Sequence, residues 1–293
     1  MFKSIITDQL NMDFEKALID IVNHGYKYIE IHSLWGKTIE ELSNEEINTV
    51  LKLLRKYNLE VSCLSSTLFF MCPLYPNYEI KNFKSTFLVT QGNYEDHIEK
   101  LKRTCETAKK LNAKYVRLFP FRASEAKKVV GTDEDIKLIT EKLMLPSRLA
   151  KEMDITLVLE NCPYTHLPKG IMTKKVIDNI NSPNLKLLWD IGNSFRAPID
   201  KLPVDYRNVS LHEELETIFK CIGHVHLKDY IKENNKFSHI TFSEGNIDFK
   251  DLFRELNLLE YSGSVSLEPE VDYNNVIKSM ENLNKILNIH RKD

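Results

Sequence analysis

Short β-branched and apolar runs alternate along this chain with longer amphipathic runs, and the alternation stays regular from one end to the other. Apolar runs bounded by turn residues read as strands buried on both faces, and the amphipathic runs between them read as helices. Together they spell βα units around a parallel sheet. Strands are expected at 3–7, 26–32, 59–65, 114–119, 155–160, 185–190, 222–228 and 263–268. Helices are expected at roughly 13–24, 43–57, 93–111, 133–153, 171–181, 210–220, 248–257 and 273–290. Ser43 with Glu46 three residues on makes a capping box, and Thr132-Asp133-Glu134 places acids near a first helical turn.

The 293 residues contain no Gly/Ser/Pro-rich linker and no composition shift, and the first strand is not followed by a GxGxxG turn. Eight unbroken βα units therefore predict one domain over 1–293, of the α/β class, closed as a single (β/α)8 TIM barrel. An open doubly wound sheet would show a crossover or a boundary. The 40 Lys and Arg against 42 Asp and Glu leave a net charge of −2, with no basic field to attract polyanions. A small-molecule partner and no nucleic acid are expected. Thr7 and Asp8 interrupt the amino terminus before a signal-type apolar run, and no run approaches a membrane span, so a cytoplasmic protein without membrane contact is expected. Five cysteines without a CxxC pair read as buried small hydrophobes.

In a barrel the strand carboxyl ends carry the chemistry. Here Glu160, Asp190, His226 and Glu268 end or nearly end four consecutive strand candidates, 30, 36 and 42 residues apart. One such acid commonly caps the next helix, but four at the βα repeat would converge at one mouth. Three carboxylates with one imidazole suit Mn²⁺, Mg²⁺ or Co²⁺ and can hold Zn²⁺. Two long connections, 67–94 and 193–209, follow strand ends. The first carries Phe69, Phe70, Met71, Tyr75 and Tyr78, which can form either an apolar cover over a pocket or a packed surface loop.

The motifs LVLENCP (157–163), LLWDIGN (187–193), GHVHLKD (223–229), SEGNID (243–248) and SVSLEPE (264–270), with KYIEIHSLWG (27–36) and KYVRLFP (114–120), complete the pattern. Through them the chain resembles the xylose isomerase-like TIM barrels, specifically the sugar phosphate isomerase/epimerase group that also includes endonuclease IV. The resemblance implies that Glu160, Asp190, His226 and Glu268 hold one divalent metal ion and that Glu160 and Glu268 are also the acid/base pair. A metal chelated by a sugar carbonyl and its neighbouring hydroxyl would acidify the adjacent C–H and hold the enediolate that follows. Two glutamates on opposite sides of the substrate would then move the proton, giving epimerisation or isomerisation of a sugar, sugar phosphate or polyol. An inosose dehydratase-like lyase would use the same groups.

Endonuclease IV, a nuclease of apurinic sites, uses a three-zinc cluster with further histidines. This chain has Asn193 where the nuclease has a histidine and Phe237 where it has an acid, although His239 matches a ligand position and is expected here among the substrate-binding residues. Ketose 3-epimerases also place a substrate-binding histidine where Asn193 stands, leaving the amide either to bind a sugar hydroxyl or to cap its loop. Lys228, two residues after His226, would face the pocket to bind an anionic oxygen or pair with an acid. Glu30, His32 and Arg117 would bind substrate hydroxyls or form a buried ion network. His224 reads as a packed strand residue, and Trp35 as packing or a sugar-stacking ring. A homodimer is common among such barrels.

Overall fold

The computed structural model describes residues 1–76, 80, 87–234 and 236–289. Within them the strands are β1 (Phe2–Ile5), β2 (Tyr28–Ile31), β3 (Glu60–Leu64), β4 (Tyr115–Leu118), β5 (Thr156–Glu160), β6 (Leu185–Asp190), β7 (Ile222–Leu227) and β8 (Ser264–Leu267). Neighbours in sequence pair in parallel, and β8 returns to pair with β1. An Ile6–Glu30 bridge joins β1 to β2 and completes the ring. The expected (β/α)8 barrel is the observed architecture. Its outer layer is α1 (Phe14–Asn23), α2 (Asn44–Tyr57), α3 (Tyr94–Leu111), α4 (Asp133–Glu152), α5 (Gly170–Ile180), α6 (Leu211–Ile218), α7 (Phe249–Leu258) and α8 (Tyr273–Ile289). Ser43 and Glu46 form their capping box at α2, and Thr132 forms one with Asp135 at α4. Residue 290, the end of the last expected helix, lies outside the described residues.

The two-residue period of the strands sorts side chains between two cores. Residues such as Ile5, Ile31, Val116, Leu159, Trp189, Val225 and Leu267 pack outward among the helices. Cys63, Tyr115, Val158 and Leu188 form a separate apolar cluster. Two positions further along the last three of these strands stand Arg117, Glu160 and Asp190, all buried. Along β4, β5 and β6 the inward face therefore changes from apolar to ionic within one step of the pleat, towards the strand carboxyl ends. Glu30 and His224 bring charge into the lower layer, beside Cys63 and Leu188.

Of the five cysteines, Cys63, Cys72, Cys105 and Cys162 are buried and Cys221 is partly so, all as free thiols. In the connection after β3, Phe69, Phe70 and Met71 are buried, and the Tyr75 hydroxyl reaches Asp135 at 2.5 Å. Tyr78 lies outside the described residues. The connection after β7 contains an antiparallel hairpin, Asp229–Glu233 against Lys236–Ile240, with Asn234 in the left-handed region at φ 48°. A second, smaller hairpin pairs Ser33–Leu34 with Lys37–Thr38. Both hairpins went unread in the sequence, because two-residue and five-residue strands of mixed polarity carry little periodic signal. No helix among the described residues is long and apolar enough to cross a membrane.

Candidate active site

The strand carboxyl ends surround a cavity of about 390 Å³. Glu160, Asp190, His226 and Glu268 each bring one candidate ligand atom within 4.8 Å of the others, and all four side chains are buried. Glu160 and Glu268 line the cavity; Asp190 and His226 are absent from its wall.

Three carboxylates packed this closely repel one another unless cations intervene, and two side chains supply them. The Arg117 guanidinium donates through Nη1 to Glu160 Oε2 at 3.0 Å and to Glu268 Oε1 at 3.5 Å. Its remaining nitrogens are anchored on the carbonyls of Ser66 at 2.9 Å and Ser65 at 2.8 Å. Lys228 Nζ lies 3.0 Å from Asp190 Oδ2, 2.5 Å from Glu268 Oε2 and 3.0 Å from Glu270 Oε1. Burial opposes the charge on both cations, and the surrounding carboxylates outweigh it, so both are held more firmly protonated than usual.

The carboxylates divide accordingly. Burial pushes Glu160 up to about 7, with Arg117 opposing and Glu268 adding to the rise. Burial also raises Asp190. For Glu268 burial is outweighed by Lys228, His226 and Arg117 together, which hold it well below the usual carboxylate range. Two glutamates of identical chemistry thus differ because one touches more positive charge.

Glu30 lies beneath this layer, fully buried and outside the cavity wall. Its carboxylate meets the Nε2 atoms of His224 and His226, the latter at 3.1 Å, and accepts from the Ser65 hydroxyl. Of the two expected roles it therefore occupies the buried network. A carboxylate at His226 Nε2 requires a proton there, which leaves Nδ1 as the atom towards Glu160 and Glu268, at 3.9 and 3.3 Å. Among the described residues His226 Nδ1 makes no hydrogen bond of good geometry. Burial opposes charge on the imidazole, but the Glu30 and Glu268 carboxylates outweigh it and raise the ring to about 10, so Nδ1 would give up a proton on binding a cation. A buried nitrogen left over among three carboxylates is an environment a divalent cation satisfies, so these residues fit a metal of the hard or borderline kind.

Asn193 follows β6 in a short helix, Ile191–Phe195, for which Asp190 is the N-cap. Its Nδ2 donates to Glu160 Oε1 at 3.1 Å, Asp190 Oδ2 at 2.8 Å and the Asn161 carbonyl at 3.1 Å. Asn193 also lines the cavity. His32 is buried away from the wall, its Nδ1 2.6 Å from Asp8 Oδ2 and its Nε2 2.9 Å from the Leu88 carbonyl. His239 sits on the hairpin after β7, 3.5 Å from Glu270 Oε2 and outside the lining. Trp35 is 42% exposed and meets Phe14 edge-on.

Asn161, Asp8 and Arg196 went unrecognised in the sequence. Asp190 N–H donates to Asn161 Oδ1 at 2.9 Å and Asn161 Nδ2 donates to the Asp190 carbonyl at 3.0 Å, which clamps the ends of β5 and β6 together. Its place directly after Glu160 was the available signal. Asp8 and Arg196 line the cavity from connecting segments, where no periodicity marks them.

A provisionally named L-ribulose-5-phosphate 3-epimerase of Haemophilus influenzae is 29% identical over 140 residues, 46% of each chain. The chain spans about half the length of the curated relatives it matches, 45% and 46% of theirs. Among solved structures, a D-tagatose 3-epimerase-like protein superimposes with a TM-score of 0.71 at 20% identity, covering 100% of this chain and 99% of that one. The IOLI protein with a bound zinc atom superimposes with a TM-score of 0.71 at 19% identity, covering 98% and 96%. Both structural likenesses speak for the fold. The family model described as xylose isomerase-like TIM barrel matches residues 18–287, and the chain belongs to that family.

Proposed function

We propose that this protein is a divalent-metal-dependent isomerase or epimerase of a sugar, sugar phosphate or related polyol. The observation that carries the reading is the division of labour around the cavity: of four convergent ligand candidates, Glu160 and Glu268 reach the space a substrate would fill, while Asp190 and His226 stand behind them. Names among the relatives, an L-ribulose-5-phosphate 3-epimerase and a D-tagatose 3-epimerase-like protein, support the reaction class, and the zinc-bound neighbour supports a metal.

Glu160, Asp190, Glu268 and His226 Nδ1 would hold the ion. When bound, it supplies Lewis acidity that makes a C–H beside a sugar carbonyl easier to ionise. The protein's own groups do the rest. Glu160 and Glu268 project from β5 and from the end of β8, different sides of the ring, so one carboxylate can accept a proton while the other delivers one. Arg117 touches both and prevents their mutual repulsion from splaying them. Asn193 fixes the rotamer of Glu160 through Oε1. The rings of Phe70, Phe87 and Phe119 line the same cavity and keep water from competing for the proton.

The purified protein should bind about one Mn²⁺, Co²⁺, Mg²⁺ or Zn²⁺ per chain. In D₂O it should wash deuterium into a ketose within a panel of ketoses, inososes and their phosphates, and Glu268→Gln should abolish that exchange with the circular dichroism spectrum unchanged. A cluster of several zinc ions with cleavage of abasic DNA, or full exchange by Glu268→Gln, would overturn the proposal.

A further inference from the structure

Among the described residues three cationic side chains line the cavity, and two of them are committed to carboxylates: Arg117 to Glu160 and Glu268, Lys228 to Asp190, Glu268 and Glu270. The third, Arg196, forms no ion pair among the described residues; its polar partners are neutral. Nε and Nη2 donate to Asn193 Oδ1 at 3.3 and 3.2 Å, and Nη1 donates to the Tyr164 hydroxyl at 3.3 Å. A guanidinium carries five N–H donors, so two on its Nη atoms remain unengaged. Its plane is held by the rings of Tyr164 and Tyr230, whose centroids lie 4.9 and 5.3 Å from Cζ.

A half-buried, pre-oriented cation in a cavity wall without a counter-charge is complementary to an anion that arrives from outside. The neighbourhood says where that anion sits. The Asn193 amide that accepts from Arg196 also donates to Glu160 and Asp190, so two hydrogen bonds and one amide separate the guanidinium from the candidate metal ligands. That is the span of a short carbon chain.

We propose that Arg196 is the subsite for an oxyanion on the substrate, a phosphomonoester or a carboxylate, which it grips through its free Nη donors while the reacting carbons lie against Glu160 and Glu268. The proposal rests on the sugar isomerase reading of the same cavity and narrows the substrate to an anionic sugar.

The test is calorimetric titration of the metal-loaded protein with three probes: D-ribulose, D-ribulose 5-phosphate and D-fructuronate. At least one anionic probe should bind about tenfold or more tightly than D-ribulose, and the winner identifies phosphate or carboxylate as the group recognised. In Arg196→Met, which keeps the packed stem, the ratio of anionic to neutral affinity should collapse towards unity. Arg196→Lys, which keeps the charge and loses the fork, should give an intermediate ratio and serves if the methionine variant does not fold. A wild-type protein that binds none of the probes, or shows no anionic preference, refutes the subsite, as does a preference that persists in Arg196→Met. Deuterium exchange is scored separately: an Arg196-dependent preference without exchange of any ketose would leave the subsite standing and remove the isomerase reading. Exchange of neutral D-ribulose with no anionic preference would do the reverse.

Discussion

His97 offers a prediction that is independent of any metal. It lies on α3 with its ring buried, and its Nδ1 accepts the Phe69 N–H at 3.1 Å, which ties α3 to the connection after β3. The Phe69 and His97 rings lie against each other with centroids 5.3 Å apart. An imidazole that accepts at Nδ1 must be neutral there, and burial, reinforced by Lys100 and opposed by Asp96, lowers its pKa from 6.5 to about 4. The unfolded chain therefore takes up a proton at a pH where the folded one does not. For a base with a depressed folded pKa, this stabilisation is full above about pH 6.5 and is lost as pH falls towards 4. Linkage puts the loss at about 2 kcal/mol at pH 5 relative to pH 8, approaching about 3 kcal/mol near pH 4. His97→Asn keeps an acceptor close to the Nδ1 position and does not titrate. Urea unfolding of both proteins from pH 8 to pH 4.5 isolates the contribution, since other titrating groups are common to the two. The wild type should lose about 2 kcal/mol more than the variant on going to pH 5. A difference that stays flat across this range would refute the assignment of a neutral, Nδ1-accepting imidazole.

Two further outcomes follow from the site. Glu30→Gln leaves an amide that cannot accept from His224, His226 and Ser65 as the carboxylate does, so His226 loses its fixed tautomer; Mn²⁺ affinity measured by chelator competition should weaken about 10–100-fold, and wild-type affinity in a folded variant would contradict the positioning role. Gly192→Ala would favour the short helix by propensity, but its Cβ would lie 2.6 Å from the Lys228 carbonyl oxygen and 3.0 Å from the Tyr230 ring. Overpacking should prevail and cost about 1–3 kcal/mol in denaturant unfolding, whereas a neutral or stabilised variant would show that the end of β7 yields easily.

The amino-acid sequence by itself determined the barrel and the residues at its mouth. Parallel strands enclosed by helices are apolar along their length, so a carboxylate or imidazole at the end of Thr156–Glu160 or Leu185–Asp190 stands out against the run that precedes it. The period of two then puts that residue one layer above an inward apolar side chain, as Glu160 lies above Val158 and Asp190 above Leu188. What the linear pattern does not contain is which charge answers which. Glu30 meets His226 across 196 residues of chain and Arg117 meets Glu268 across 151. Those pairings exist only because β8 returns to β1 and the ring closes. Closure gave Glu30 a place under the histidines instead of in the cavity wall, and it turned Lys228 inward to three carboxylates. Among the described residues it also left Arg196 facing the cavity without one. Strand ends are legible because burial is a local property of each strand, whereas the electrostatic character of the site arises from distances between strands, which only the folded barrel sets.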